Sequence, residues 1–155
     1  MYLFSYGSNS TEQLKKRICI KRDLLLKSGY IKNYIRIFSG KSQKWNGGIA
    51  TIYPCLGEKV YGIIVDLSKE ELNILNFFEK GYHLEKINVI INNNEKECYV
   101  YIKNNNLFID MPSEEYMLAI NKMLNERKYK SNRKISIKGL VDNKIVTLGY
   151  WKNTN

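Results

Sequence analysis

Histidine occurs once, at position 83, and proline twice in 155 residues. One histidine cannot build a His-rich metal site, and any Ser-His-Asp triad would have to pass through His83. Cys19, Cys55 and Cys98 are far apart and odd in number, so neither a disulfide framework nor a zinc site follows from them. A reduced, cytoplasmic setting is the expectation. No apolar run approaches the roughly 20 residues of a transmembrane helix. Met1-Tyr2-Leu3-Phe4 has no basic segment before it and no small-residue cleavage site after it, so no signal peptide is expected. No Pro/Gly-rich stretch divides the chain and no internal repeat is visible. One domain over residues 1–155, with a substantial core, is expected.

Acidic residues are also scarce relative to basic ones, and the net charge is +10. An excess of this sign suits nucleic acid or an anionic membrane when it is clustered. Here the basic residues run along the whole chain, densest at Arg127-Lys128-Tyr129-Lys130-Ser131-Asn132-Arg133-Lys134. Lys, Asn and Ile are over-used generally, as in Asn92-Asn93-Asn94 and Asn104-Asn105-Asn106. A solvated basic surface is therefore expected, with no nucleic-acid or membrane partner.

What is present is patterned. Residues 3–6 read as a strand. Tyr6-Gly7-Ser8-Asn9 then forms a tight turn opening a short helix over 11–17, and Ser10 with Gln13 fits a capping box. Gly7 can take a positive φ or let a ligand approach the backbone. Free N–H groups at such a turn face anions. Asn9 is either a site residue or only a helix N-cap. Residues 27–38 suit strands. Another strand over 49–53 is expected to stop at Pro54, and 59–66 reads as a central strand. Ser68-Lys69-Glu70-Glu71 is a second capping box. It opens a helix on which Leu72, Leu75, Phe78 and Glu79 share a face, with Gly81 as its stop. Strands follow over 84–92 and 97–103, joined by a turn at Asn92-Asn93-Asn94-Glu95. A last helix starts near Ser113, with Met117, Ile120, Met123 and Leu124 as its apolar stripe and Arg127 and Lys128 at its end. Residues 134–151 permit a further strand or two. This element mix is α+β.

Three stretches follow the Tyr6–Asn9 turn in order: Lys44-Trp45-Asn46-Gly47-Gly48-Ile49-Ala50-Thr51-Ile52-Tyr53, Val60-Tyr61-Gly62-Ile63-Ile64-Val65, and Leu75-Asn76-Phe77-Phe78-Glu79-Lys80-Gly81-Tyr82. Their order and spacing resemble the γ-glutamylcyclotransferase family. The resemblance runs from about Tyr2 to Tyr101 and returns at Pro112-Ser113-Glu114-Glu115-Tyr116; the tail after about Arg127 diverges. It implies a compact mixed β-barrel flanked by helices, with a cavity beside the turn. It also implies an intramolecular reaction on a small γ-glutamyl substrate, whose α-amine attacks the γ-carbonyl to give 5-oxoproline and a free amine. That chemistry calls for no cofactor and no metal. A γ-glutamylamine- or glutathione-directed enzyme on the same fold is the near alternative. A non-catalytic basic binding module is the alternative of another class. Family members are often homodimers, and Tyr150 and Trp151 are exposed aromatics suited to a contact.

The chemistry must deprotonate the α-ammonium, stabilise an oxyanion and protonate the leaving amine. Glu79 is the candidate for both proton transfers. A helix end or partial burial raises a carboxyl's pKa and suits it to act as base and then acid. The family motif has the form Leu-Asp-x-x-Glu-Gly; here Asn76 replaces the Asp and Lys80 the Gly, with Gly81 one position later. Glu85 is the rival acid, read as a strand-surface residue. The backbone N–H groups of the Tyr6-Gly7-Ser8-Asn9 turn are the candidate donors to the γ-carbonyl oxygen or to the substrate α-carboxylate, and the resemblance implies that Phe4 and Ser5 line the approach. Ser8 is not read as a nucleophile, because no base is placed to activate it. The resemblance implies that Tyr116 reaches the γ-glutamyl group and that Tyr82 lines the site. Tyr101 is read as core. Trp45, Gly47 and Gly48 are expected to shape the fold near the site without chemistry of their own.

Overall fold

The computed structural model describes residues 1–24, 26–103, 108–125 and 134–152. Five strands close a barrel in the order β1-β3-β2-β4-β5: β1 (Tyr2–Ser5), β2 (Leu26–Ser42), β3 (Gly47–Asp66), β4 (Tyr82–Ile91) and β5 (Asn94–Lys103). Helices α1 (Thr11–Ile18), α2 (Lys69–Asn76) and α3 (Glu114–Asn125) pack around it. The chain then adds a two-stranded sheet of β6 (Ile135–Val141) and β7 (Lys144–Trp151), so the tail does contribute strands. This is the α+β mixed barrel that the resemblance implies. Strand pairs are antiparallel except β1 with β5, which meet in parallel at Leu3 and Tyr99.

Alternation along the strands divides the apolar residues between two cores. Phe4, Ile31, Ile52, Val60, Ile64, Val89 and Val100 join one, with Tyr116, Met117 and Ile120 from α3. Leu3, Ile63, Val65 and Tyr101 join the other, with Leu14 and Ile18 from α1 and Leu72 and Leu75 from α2. A strand with apolar residues on both faces must be central, and β3 lies between β1 and β2. Gly62 permits the tight β1–β3 approach: a Cβ there would stand 2.2 Å from the Ser5 carbonyl oxygen and 2.7 Å from the Phe4 ring.

The expected box forms in full at α2, whereas at α1 only its N-cap half forms, since the Ser10 N–H donates to the Ser8 carbonyl at 2.8 Å. Ser10 accepts from the Gln13 N–H at 3.2 Å. Ser68 and Glu71 complete a reciprocal box at 3.1 and 2.8 Å. Asn9 is therefore not the N-cap of α1, and its side chain is available elsewhere. The hairpin turns carry Asn92 and Asn93, and Asp142 and Asn143, all with φ between 48° and 65°. These are the residue types that two-residue primed turns select.

Three expectations are corrected. First, β3 does not stop at Pro54, which pairs with Tyr34. The register then shifts, since Lys32 pairs with Lys59, so residues 55–58 bulge out of the ladder. A bulge is where a strand tolerates proline. Second, α2 ends at Asn76, well before Gly81. The N–H groups of Phe77, Phe78 and Glu79 reach back three residues to Ile74, Leu75 and Asn76, tightening the chain out of the α-helix. Phe78 consequently leaves the Leu72–Leu75 face and is 50% exposed. Gly81, at φ +84°, sits in the turn closed by the Tyr82 N–H on the Glu79 carbonyl at 3.2 Å. Third, Trp151 is buried at 8% exposure, its indole N–H donating to Glu114 at 2.7 Å, while Tyr150 is 61% exposed. Of the two readings offered for Gly7, positive φ does not apply, since it is not among the glycines with positive φ.

The basic cluster from Arg127 to Arg133 and the Asn104-Asn105-Asn106 run lie outside the described residues. Among the described residues, no helix is long and apolar enough to cross a membrane.

Candidate active site

The strand end of β1, the turn after it, the turn before β4 and the first turn of α3 converge on one cavity of about 230 Å³. Every site residue expected from sequence lines it: Phe4, Ser5, Tyr6, Gly7, Ser8, Asn9, Glu79, Tyr82 and Tyr116. Tyr101 lines it as well and is also core. Glu85 does not. It lies exposed on β4, 2.9 Å from His83 Nε2.

Glu79 is the cavity's carboxyl, with its side chain 11% exposed. Asn9 Nδ2 donates to Glu79 Oε1 at 2.7 Å. Arg17 Nη1 donates to Asn9 Oδ1 at 2.8 Å and stands 3.4 Å from Glu79 Oε1. The guanidinium has only donors, so it fixes the Asn9 oxygen toward itself and the Asn9 nitrogen toward the carboxyl. Gln13, one turn before Arg17 on α1, extends this chain. The amide orientation that satisfies its neighbours accepts from Arg17 Nη2 at 2.6 Å and donates to the Ser8 carbonyl at 2.6 Å. Asn9 thus ties the turn after β1 to the turn before β4.

Burial is the largest influence on Glu79 and raises its pKa above the usual carboxyl range; the Asn9 hydrogen bond, Arg17 and Lys44 pull it back down. The cause is burial in a turn. A helix C-terminus is not the cause, because α2 has already ended. Lys44 is itself lowered, first by burial and then by the like charges of Arg17 and Lys16.

The walls are tyrosines with defined duties. The Ala50 peptide is held on both sides: its N–H donates to the Tyr116 hydroxyl at 2.9 Å, and its carbonyl accepts from Tyr82 at 2.7 Å. Burial pushes the Tyr116 phenol up to about 12 and raises Tyr6, Tyr82 and Tyr101 as well, so these hydroxyls stay protonated. Tyr6 donates to the Tyr101 carbonyl, and the Tyr101 hydroxyl donates to Asn76 Oδ1 at 2.5 Å. Asn76 therefore keeps an acceptor where the family motif has Asp. Arg36 holds the strand end before the turn, its Nε donating to the Tyr6 carbonyl at 2.9 Å.

The N–H groups of Gly7, Ser8 and Asn9 find no acceptor among the described residues. A Cβ on Gly7 would stand 3.5 Å from the Tyr116 hydroxyl oxygen, so the glycine leaves open space between turn and wall. Sequence reasoning missed Arg17 and Lys44. The available signal for Arg17 was its i+4 spacing from Gln13 on a helix that starts at the turn. Lys44 had no local signal, since the β2–β3 connection carries it in.

This arrangement has the form of a candidate small-molecule site: one buried carboxyl and a turn with unpartnered N–H donors line the same cavity. A family model described as gamma-glutamyl cyclotransferase, AIG2-like, matches residues 3–118, and the chain belongs to that family. It is 37% identical over 83 residues to the human γ-glutamylcyclotransferase and 35% identical over 83 residues to the mouse protein. Each match covers 47% of this chain and 40% of the relative, so it spans well under half of the curated proteins' length. A solved γ-glutamyl cyclotransferase superposes with a TM-score of 0.76 at 26% identity, covering 83% of this chain and 80% of the other. A yeast γ-glutamyl cyclotransferase described as specific to glutathione shares the fold, with a TM-score of 0.60 at 13% identity over 86% of this chain and 90% of its own.

Proposed function

We propose that the chain is a cytoplasmic γ-glutamylcyclotransferase. It converts γ-glutamyl amino acids or related γ-glutamyl amines to 5-oxoproline and a free amine, with neither nucleic acid nor membrane as partner. The observation that carries this reading is the Asn9-held, pKa-raised Glu79 carboxyl facing the same cavity as the Gly7–Asn9 amides.

In this reading Glu79, as carboxylate, takes a proton from the substrate's α-ammonium. The freed amine attacks the γ-carbonyl, forming the new C–N bond of a five-membered ring. The substrate's own connectivity supplies the proximity that other enzymes must create between two molecules. Negative charge moves to the carbonyl oxygen, where the Gly7, Ser8 and Asn9 N–H groups donate to it. Collapse of the intermediate breaks the bond to the leaving nitrogen as Glu79 returns its proton there. The second proton shed by the attacking nitrogen also ends on the amine, which departs as an ammonium ion. A raised pKa suits both halves, because the group must accept and then release a proton near neutral pH. Tyr116 and Tyr82, spanned by the Ala50 peptide, give the γ-glutamyl group a rigid wall.

The test is release of 5-oxoproline from γ-glutamyl-alanine, glutathione and γ-glutamyl-ε-lysine, with Glu79→Gln in parallel. Turnover that disappears in the Gln variant supports the reading. Turnover that survives it overturns the assignment of Glu79, and absence of turnover on all three overturns the activity on these substrate classes.

A further inference from the structure

The β1–β3 ladder ends at Ser5 with Ile63, and the chain then leaves the strand for the turn. Arg36 of β2 stands at this point. Its Nε donates to the Tyr6 carbonyl at 2.9 Å and its Nη2 to the Tyr61 carbonyl at 3.0 Å. One planar fork thus ties the end of β1 to β3 where the backbone pairing stops. Among the described residues, no carboxylate lies within ion-pair distance of Arg36. The side chain is half-buried, and burial is the largest influence on its pKa, lowering it. A guanidinium stays charged even so. Holding a charge out of water with no counter-ion costs stability, and a neutral amide would grip a carbonyl at lower cost. The charge itself therefore calls for a use.

Arg36 lines a small cavity of about 50 Å³ between β2, α3 and the β6–β7 sheet, rather than the cavity that holds Glu79. Its charge still reaches the walls of the Glu79 cavity, pulling the phenols of Tyr6 and Tyr116 down against the larger effect of burial. In the trans Tyr6–Gly7 peptide the carbonyl and the N–H point in opposite directions. A carbonyl gripped from the Arg36 side turns the Gly7 N–H to the other side, where Gly7 lines the reaction cavity. A hydrogen bond on the carbonyl also polarises the amide and strengthens its N–H as a donor. We infer that Arg36 is a positioning residue for the reaction: through the Tyr6–Gly7 peptide it aims and strengthens the Gly7 N–H at the γ-carbonyl oxygen, while the guanidinium itself touches no substrate. The inference rests on the activity proposed above. The donor matters most once the oxygen carries negative charge, so the effect falls on kcat and spares KM.

The test measures kcat and KM for 5-oxoproline release from γ-glutamyl-alanine, glutathione and γ-glutamyl-ε-lysine in the wild type, Arg36→Met, Arg36→Lys and Ile120→Val. Met keeps an apolar stem and removes the charge and both donors. It should lower kcat by about ten- to hundred-fold, the range for a hydrogen bond to a charged group, and leave KM within about two-fold. The acid limb of its pH profile should stay in place, since Arg36 is not among the groups acting on Glu79. Lys keeps the charge without the fork and should give an intermediate kcat; it carries the test alone if the Met variant does not fold. Ile120→Val loosens the same small cavity without touching either carbonyl and should keep the wild-type kcat. The Gly7 amide nitrogen resonance should shift in both Arg36 variants and hold in Ile120→Val. A wild-type kcat in the Arg36 variants, a KM that rises as far as kcat falls, or an equal loss in Ile120→Val reduces Arg36 to a structural tie and leaves the cyclotransferase reading intact. No 5-oxoproline from the wild type on any of the three substrates removes that reading and this inference together.

Discussion

Glu79 and Glu85 flank the start of β4 and carry the same functional group, yet they live in different chemistry. Glu79 lies in a turn where α2 has already tightened and stopped. It is walled by tyrosines and gripped by Asn9, with Arg17 behind. Glu85 lies on the open face of a strand, with His83 two residues away as its partner. The contrast teaches that a carboxyl becomes a candidate base through where the chain leaves it. Residue type and sequence neighbourhood alone do not separate the two.

The largest effect should come from the pair itself. Glu79→Gln should lower 5-oxoproline release by at least about 10²-fold, the lower end of what general acid–base groups contribute. Glu85→Gln should leave it within about two-fold. A reversed order would exchange the two assignments. The walls that set Glu79 apart come next. Tyr116→Phe strips the Ala50 N–H of its acceptor and should cost about 1–3 kcal/mol in denaturant melts, whereas Tyr82→Phe, which loses only a donor to the Ala50 carbonyl, should cost about 0.5–1.5 kcal/mol. Equal costs would mean that water replaces both.

Burial gives Glu79 a further signature. Its folded pKa lies above its unfolded value, so the protonated form adds stability at low pH. That stability is present below the unfolded carboxyl range and is lost as pH rises through the folded value. The Tm of Glu79→Gln relative to wild type should therefore become more favourable from about pH 4 to about pH 7. A difference that is flat or falls with pH would contradict burial as the main cause. The smallest effect is expected from Asn76→Asp, which restores the family motif. An oxygen still accepts from Tyr101, so stability should hold within about 0.5 kcal/mol and activity within about two-fold.

Much of this was legible in the residues. Ser68 with Glu71 formed as read, Ser10 caps α1 without the return bond from Gln13, and the turn read over Asn92-Asn93-Asn94-Glu95 closes on Asn92 and Asn93 alone; all are local signals with local causes. The turn at Tyr6–Asn9 and the acid at Glu79 were found through the ordered motifs. What failed needed tertiary information. Leu72, Leu75 and Glu79 keep helical spacing, which hides the tightening after Asn76. Pro54 reads as a strand end because the bulge that accommodates it depends on the partner strand. Alternation puts Tyr150 and Trp151 on opposite faces of β7, and it is the packing of one face on the core, with Glu114 of α3 taking the indole N–H, that buries Trp151.

The barrel is zipped unevenly. β1, β3 and β2 form one long ribbon and β4 with β5 another, and among the described residues each of the two seams between them shows one register pair, Leu3 with Tyr99 and Tyr30 with Ile90. The cavity sits on the first seam. Tyr6 on one ribbon is latched to the Tyr101 carbonyl on the other, and Asn9 is latched to Glu79 at the entry to the second ribbon. A molecule wedged there acts as a rivet between the ribbons. Its arrival should slow amide exchange along β1 and β5 more than within the β2–β3 ladder, and its release as smaller pieces should loosen the same seam.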